Sequence, residues 1–221
     1  MIAARLALSA NELAALREAI DMHLDRAFPG LASSNVAFCW PYHNEYDARH
    51  LAHRLRTRGA KTALPVVIAS GQPLIFRLWK PGDVLAKGVY DIPYPASGDG
   101  VVPDVALVPM NGFDAGGYRL GYGGGFFDRT LAALRTGGAT RPVAIGVTYE
   151  LARMATIHPQ AHDIPMDYVV TEHGVYQRGL EGLVFLDAPR GESAVSGYSS
   201  PACLAHEIAP GYFGESGNGK P

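Results

Sequence analysis

The sequence has little of several features that direct a chain to a particular compartment or partner. Its two cysteines, Cys39 and Cys203, lie in a predicted buried strand and a loose tail, so we expect a reduced chain without a disulfide. No apolar run approaches the ~20 residues that span a membrane, and the start lacks the pattern of a signal peptide. A net charge of −2 provides no basic surface for nucleic acid or an anionic membrane. We therefore predict a cytoplasmic, monomeric protein whose partners are small molecules.

Several catalytic motifs are missing as well. The sequence has neither the GxxxxGK(S/T) loop of a P-loop kinase nor the HExxH motif of a zinc enzyme. His43, His50 and His53 lie close together, but without a cysteine partner we interpret them as part of a basic helix face. The glycine-rich segment lacks the GxGxxG register and does not directly follow its strand, which argues against a dinucleotide oxidoreductase.

Helix-like and strand-like patterns alternate along the chain. The length of 221 residues and the 48% of hydrophobic residues suit one sizeable core. Ser9 and Glu12 have the spacing of a capping box, which predicts a helix as far as Ala27, and a second helix is predicted from Asp47 to Arg58. Strands are predicted at 35–40, 61–69, 73–79, 101–109, 143–147 and 168–172. We therefore expect an α/β fold, a single domain with a mostly parallel central sheet and helices on both faces.

The pattern fades towards the end of the chain. Residues 1–180 carry the predicted α/β domain, the periodicity fades over residues 181–221, and residues 193–221 are rich in glycine, serine and proline. Such a composition cannot add a core element, so we predict a largely disordered tail.

The stretch from Val108 to Leu131, VPMNGFDAGGYRLGYGGGFFDRTL, is the most unusual part of the chain. A strand leads into a segment too rich in glycine for helix or strand, and then into the start of a helix. We call residues 121–125 the glycine loop. Its glycines allow positive φ and bring N–H groups close to a ligand. Arg119 precedes the loop and Asp128 follows it, so the pattern predicts a site for an anion.

Two segments resemble the signatures of one enzyme family. The run YRLGYGGGFFDR from Tyr118 to Arg129, preceded by Gly112-Phe113-Asp114, resembles the signature of 5-formyltetrahydrofolate cyclo-ligases, also called methenyltetrahydrofolate synthetases. The run HDIPMD from His162 to Asp167 is similar to that family's second signature, and PGD at 81–83 and VYDIPYP at 89–95 extend the similarity. The resemblance implies an enzyme that uses ATP and magnesium to convert 5-formyltetrahydrofolate to 5,10-methenyltetrahydrofolate, with release of ADP and phosphate.

The resemblance also implies roles for particular residues. The implied ATP site consists of Arg119, Gly121, Gly123, Gly124, Gly125 and Asp128, with Arg119 as the catalytic cation on the transferred phosphoryl group. Magnesium is implied at Asp128 and Asp163. The implied folate contacts are Glu45, Pro93, Tyr122, Phe126 and Phe127. Two phenylalanines stand where the family usually has two tyrosines, so stacking is retained and two hydroxyls are lost.

Taken singly, these residues also have structural interpretations. Glu45 and Asp128 suit the N-terminus of a helix, and Asp163 suits a turn next to Pro165. One of the two phenylalanines is expected in the core. Together with the glycine loop, the functional interpretation is the more economical one.

Two alternatives stay open. Family members usually begin with a helix carrying a Lys-x-x-Leu-Arg motif that helps bind ATP, and roughly a dozen residues of it are expected to be missing before Ala4-Arg5-Leu6. Arg5 does not replace the motif by position, so either the true start lies upstream of Met1 or the chain is a folate- or nucleotide-binding paralogue without ligase turnover. A sugar-phosphate isomerase or acyl-CoA transferase on a related fold would need a glutamate or lysine between Gly121 and Phe127, where the sequence has none.

Overall fold

The computed structural model describes residues 1–136 and 141–186, and its centre is an eight-stranded sheet. In chain order the elements are α1 (Ile2–Leu6), α2 (Ala10–Ala27), β1 (Asn35–Ala37), α3 (Ala48–Thr57), β2 (Lys61–Val66), β3 (Ile75–Leu78), β4 (Leu85–Lys87), β5 (Pro93–Pro95), β6 (Val105–Pro109), β7 (Gly112–Phe113), β8 (Arg119–Leu120), α4 (Phe126–Thr136), β9 (Val143–Val147), β10 (Tyr168–Thr171), β11 (Gly174–Arg178) and β12 (Leu183–Leu186). Short 3-10 turns occupy Pro29–Ser33, Val89–Asp91 and Glu150–Ala152. None of the helices in these described ranges is both long and apolar enough to cross a membrane.

The sheet is parallel at its centre and antiparallel at its edges. Its strand order is β12-β11-β10-β9-β6-β1-β2-β3. The four pairings that join β10, β9, β6, β1 and β2 are parallel, whereas β3, β11 and β12 pair antiparallel. The central strands are short and apolar, as strands buried on both faces are. The predicted mostly parallel sheet is confirmed.

The core forms two layers because successive side chains of a strand point to opposite faces of the sheet. Leu107 of β6 belongs to the cluster that contains Leu24 of α2 and Leu51 of α3. Its neighbour Val108 belongs to the cluster that contains Leu131 of α4. Helices therefore cover both faces of the sheet, as predicted.

The order in which the chain adds strands to the sheet reverses between the parallel neighbours β1 and β6. From β1 the chain passes through α3 to β2 on one side, and from β6 it passes through α4 to β9 on the other side. The loops that leave the carboxyl ends of β1 and β6 therefore diverge. In open α/β sheets the resulting crevice is where ligands bind.

Several boundaries differ from the sequence prediction. Strand β1 has three residues and ends at Ala37, because the chain then leaves the sheet to form a wall of the crevice. The domain boundary at 180 is wrong, because β12 pairs with β11 and extends the sheet to Leu186. The rest of the predicted tail, residues 187–221, lies outside the described residues.

Candidate functional site

A cavity of about 600 Å³ lies at the carboxyl ends of β1 and β6, where the strand order reverses. One wall includes Trp40 and Glu45, which follow β1, and the other includes Asn111 and the glycine loop, which follow β6. All twelve residues to which the resemblance assigns roles line this cavity, namely Glu45, Pro93, Arg119, Gly121, Tyr122, Gly123, Gly124, Gly125, Phe126, Phe127, Asp128 and Asp163. The fold thus brings them together, while their individual roles stay predictions.

The glycine loop turns through backbone conformations that favour glycine. Gly123 has a φ of 83° and Gly125 a φ of 61°. A Cβ at Gly121 or Gly123 would meet no atom within 4 Å, so the loop is open on its cavity side. Within the part of the chain that the structure describes, the N–H groups of Gly123 and Gly124 donate to no other backbone group. These donors lie just before the N-terminus of α4, an arrangement that suits a phosphate.

The two phenylalanines after the loop differ in their surroundings. Phe126 lies under the guanidinium of Arg129, 5.4 Å from its ring centre, and Arg129 Nη2 also donates to the carbonyl oxygen of Gly124. Phe127 packs against the core cluster on the α4 face. One phenylalanine therefore belongs to the core, as predicted, although both reach the cavity.

Arg119 and Asp128 form a bidentate ion pair in the cavity wall. Arg119 Nη1 lies 2.8 Å from Asp128 Oδ1, and Nη2 lies 3.1 Å from Oδ2. The two side chains are 5% and 15% exposed. Burial by itself would raise the pKa of Asp128, but the bonds from Arg119 and from the N–H of Ile164 outweigh burial and lower that pKa. Asp128 is therefore ionised, next to a fixed cation beside the glycine loop.

Asp128 and Asp163 retain capacity for a metal ion. A carboxylate offers about four acceptor positions, and three donor contacts, two from Arg119 and one from Ile164, engage Asp128. Asp163 Oδ2 accepts from the N–H of Gln160 at 2.7 Å. Among the residues that the structure describes, no group of three or more His, Cys, Asp or Glu could hold a metal by itself. Magnesium needs one or two carboxylates when phosphate and water complete its ligands, so these two aspartates fit an ion that binds with a nucleotide.

Glu45 lies in the opposite wall and is 8% exposed. Its Oε2 accepts from the N–H of Tyr42 at 3.0 Å, and its Oε1 accepts from the hydroxyl of Tyr122 at 3.1 Å. Burial raises the pKa of the Glu45 carboxyl, while the Tyr42 N–H, the charge of Arg5 and the Tyr122 hydroxyl oppose part of that shift. Glu45 is thus a preorganised acceptor in a poorly hydrated position.

Arg5 reaches this region from α1 and is 3% exposed. Its Nε donates to the carbonyl oxygen of His43 at 2.7 Å, and its Nη2 donates to the hydroxyl of Tyr122 at 3.1 Å. The sequence analysis assigned Arg5 no role. No local pattern could have found this contact, because it joins positions 117 residues apart.

The loop that contains Pro93 supplies a third wall. Pro93 lies in β5, paired with Lys87 of β4, and it lines the cavity together with Tyr90. The Tyr90 ring stacks on Tyr42 with ring centres 6.0 Å apart. Pro93 lines the cavity, as an implied folate contact should, whereas Tyr90 is a cavity residue that was not predicted from the sequence.

Asp114 and Asn111 were also not assigned roles. Asp114 accepts from the N–H groups of Gly116 and Tyr118 and, through Oδ2, from the N–H of Ile157 at 3.2 Å. It therefore closes the turn between β7 and β8 and ties it to the segment that carries the second signature. Asn111 is 7% exposed and lines the cavity. Its position just after a central parallel strand was the signal that could have identified it.

The fold and the cavity together define an open α/β protein with a ligand site at the carboxyl ends of its parallel strands. In this cavity the glycine loop lies close to the buried carboxylate of Glu45. A sequence model of the 5-formyltetrahydrofolate cyclo-ligase family matches residues 1–172. The chain belongs to this family.

Individual relatives agree with this assignment. The chain is 31% identical to the 5-formyltetrahydrofolate cyclo-ligase of Escherichia coli K12 over 155 residues, which covers 67% of this chain and 84% of the relative. It is 34% identical to the 5-formyltetrahydrofolate cyclo-ligase of Mycolicibacterium smegmatis over 165 residues, covering 70% and 80%. The NMR structure of Aquifex aeolicus 5,10-methenyltetrahydrofolate synthetase matches with a TM-score of 0.68 and 28% identity, covering 84% of this chain and 92% of that one. The predicted family and fold are confirmed.

Proposed function

We propose that this protein is a 5-formyltetrahydrofolate cyclo-ligase that uses ATP to form 5,10-methenyltetrahydrofolate, ADP and phosphate. The observation that carries the proposal is the arrangement of the cavity. The glycine loop, Arg119 and Asp128 lie on one wall and Glu45 on the other, in a chain that belongs to this family. One cavity can therefore hold the nucleotide phosphates and the folate next to each other.

The reaction requires activation of the formyl group because an amide carbonyl is a poor electrophile. Transfer of the terminal phosphoryl group of ATP to the formyl oxygen yields ADP and an iminium phosphate. N10 then attacks the formyl carbon and loses its proton, and the carbon–oxygen bond breaks to release phosphate. Catalysis of this kind depends mainly on positioning and charge neutralisation.

On the nucleotide side, the N–H groups of the glycine loop and the N-terminus of α4 would bind the phosphates. Arg119 would stabilise the charge that develops on the transferred group, held in place by its two bonds to Asp128. Asp128 and Asp163 would hold a magnesium ion, which neutralises phosphate charge when bound.

On the folate side, Glu45 would accept hydrogen bonds from the N–H groups of the pterin ring. Pro93, Tyr122, Phe126 and Phe127 would contact the flat faces of the substrate. The burial of Glu45 strengthens such bonds because water competes less for the carboxylate. A monomeric state and a cytoplasmic location stay predictions.

The test is formation of the conjugated methenyl product, followed by its near-ultraviolet absorbance, with 5-formyltetrahydrofolate, ATP and magnesium. We expect ATP-dependent product from the natural protein and a loss of at least about a hundredfold in Asp128→Asn. Asp99→Asn is the matched control, because Asp99 is exposed and outside the cavity lining. Calorimetric binding of 5-formyltetrahydrofolate is measured in parallel. Folate binding without product would support the paralogue without turnover, and neither binding nor product would refute the proposed function.

A further inference from the structure

Arg5, Tyr122 and Glu45 form a continuous chain of hydrogen bonds beside the cavity. Arg5 Nη2 donates to the Tyr122 hydroxyl and that hydroxyl donates to Glu45 Oε1, both over 3.1 Å. Both charged members of the chain are buried. The chain joins three separate parts of the fold, namely α1, the glycine loop and the segment that follows β1.

The same side chains hold the backbone of the segment after β1. Glu45 Oε2 accepts from the N–H of Tyr42, and the Glu45 N–H donates to the Tyr42 carbonyl oxygen at 3.1 Å. Arg5 Nε binds the carbonyl oxygen of His43. His43 and Asn44 have φ values of 49° and 58°, in the left-handed region that side chains other than glycine rarely adopt. This segment therefore depends on Arg5 and Glu45 for its conformation.

Three aromatic rings lie around the ring of Tyr122. The Tyr122 ring lies 5.5 Å from Tyr42, 6.3 Å from His43 and 6.2 Å from Tyr90, measured between ring centres. Arg5 and Glu45 at the two ends of the chain are buried, and limited access of water strengthens the hydrogen bonds that they make. Burial, followed by the charge of Glu45, raises the pKa of Tyr122 to about 12, so the hydroxyl keeps the proton that it donates.

We propose that Arg5 and Tyr122 are positioning residues that hold the Glu45 carboxylate in place for the folate and join it to the glycine loop. The inference rests on the proposed function, because it places these residues in folate binding. Arg5 lies behind Tyr122 and outside the cavity lining, so it acts through Tyr122 and His43.

The charges around Glu45 make this role measurable. Among the residues that the structure describes, Arg5, Tyr122, Cys39 and Tyr149 interact electrostatically with Glu45, and the His43 ring lies beside Tyr122. Burial raises the pKa of the Cys39 thiol and of both tyrosines, so these three groups are neutral at neutral pH. The positive charge that acts on Glu45 within this set comes from Arg5. Removal of the Arg5 charge leaves less to oppose the effect of burial, so the pKa of Glu45 rises further. Folate binding that needs ionised Glu45 is then lost at a higher pH.

The first experiment measures the Kd of 5-formyltetrahydrofolate without ATP for Tyr122→Phe, Arg5→Met and the double variant, from about pH 5 to about pH 8. We expect each single change to raise Kd about tenfold at neutral pH, equivalent to about 1.4 kcal/mol. The double variant is expected to lose clearly less than the hundredfold product of the two single losses, since both changes remove bonds at the Tyr122 hydroxyl. Arg5→Met also moves the acid limit of binding upward. Tyr118→Phe and Arg26→Met are the controls, because both residues lie outside the cavity lining.

The second experiment needs no ligand. Exchange of the Tyr42 and Glu45 amide hydrogens is followed by NMR and is expected to be about tenfold faster in both single variants. Arg5→Lys keeps the charge but lacks the forked guanidinium that reaches both oxygens, and it provides the same test if Arg5→Met fails to fold. We expect faster exchange in it without a shift of the acid limit.

The outcomes separate this inference from the proposed function. Unchanged amide exchange in Tyr122→Phe and in a folded Arg5 variant would overturn the inference, whether or not folate binds. A loss of about a hundredfold in the double variant, as independent effects require, would overturn it too. A natural protein that binds folate and forms no product would refute only the cyclo-ligase activity.

Discussion

Replacement of Arg119 by methionine tests the reasoning about the cavity wall most directly. The change removes both guanidinium bonds to Asp128 and leaves that carboxylate with the N–H of Ile164. Removal of one partner from a fully buried pair costs about 3–5 kcal/mol. The Ile164 bond remains and the cavity admits water, so we expect a loss of about 2 kcal/mol in the free energy of unfolding. For a domain of this size that corresponds to a decrease in Tm of roughly 4–8 °C.

The pH dependence gives this prediction its sign. In the natural protein the pKa of Asp128 is lowered, so its stabilising contribution is present above the usual aspartate range and is lost as pH falls through the lowered value. In Arg119→Met burial remains and the main opposing contact is gone, so we expect the pKa of Asp128 to rise above its usual value. The neutral, protonated carboxyl of Asp128 is then the form that the folded state favours, because burial disfavours a charge without a cationic partner. The destabilisation is therefore largest at neutral pH and decreases near about pH 4.

Urea unfolding, followed by tryptophan fluorescence, measures the effect. Trp79 belongs to a core cluster and Trp40 packs against it, so unfolding exposes both side chains to water. Arg119→Lys keeps a charge without the two-pronged geometry and should lose an intermediate amount. Arg26→Met is the surface control. A loss below ~0.5 kcal/mol in Arg119→Met, or one of equal size at both pH values, would refute the reasoning.

Three further predictions concern glycine and cysteine positions. A Cβ at Gly146 would lie 2.5 Å from Sδ of Met110, so Gly146→Ala is expected to cost about 1 kcal/mol through overpacking, measured by urea unfolding. Gly121→Ala meets no atom within 4 Å and should change stability by less than ~0.5 kcal/mol, while weakening ATP binding in calorimetry; unchanged ATP affinity would contradict the role of the loop. Burial, followed by the charge of Glu45, raises the pKa of the Cys39 thiol, so iodoacetamide should label Cys39 slowly in the folded protein and rapidly in urea; rapid labelling of the folded protein, detected by peptide mass spectrometry, would contradict this.

Local signals predicted much of the secondary structure. The capping box of Ser9 and Glu12 is formed, and α2 begins at the next residue after Ser9. Strand β9 covers the predicted residues Val143–Val147, and α3 lies within one residue of its predicted ends. These elements were predictable because their capping and periodicity depend on neighbours in sequence.

Elements that need a distant partner were predicted less well. Strand β12 is a short apolar segment, Leu183–Leu186, too short to identify a strand without its partner β11, so the domain boundary at 180 was placed too early. Tyr90 adopts a left-handed backbone conformation with a φ of 58°, which its residue type does not suggest, and stacks on Tyr42 from another loop. In both cases tertiary contacts outweighed local preference.

The sequence by itself determined the alternation of helices and strands, the position of the glycine loop and, through two signatures, the family. Through the family resemblance it also identified twelve residues that all line one cavity. The tertiary structure decided how these residues interact: Arg119 with Asp128 and Ile164, and Arg5 with Tyr122 and Glu45. Such contacts depend on the reversal of strand order between β1 and β6, which opens a crevice lined by residues from distant positions. That crevice follows from packing of the whole sheet, and no local pattern specifies it.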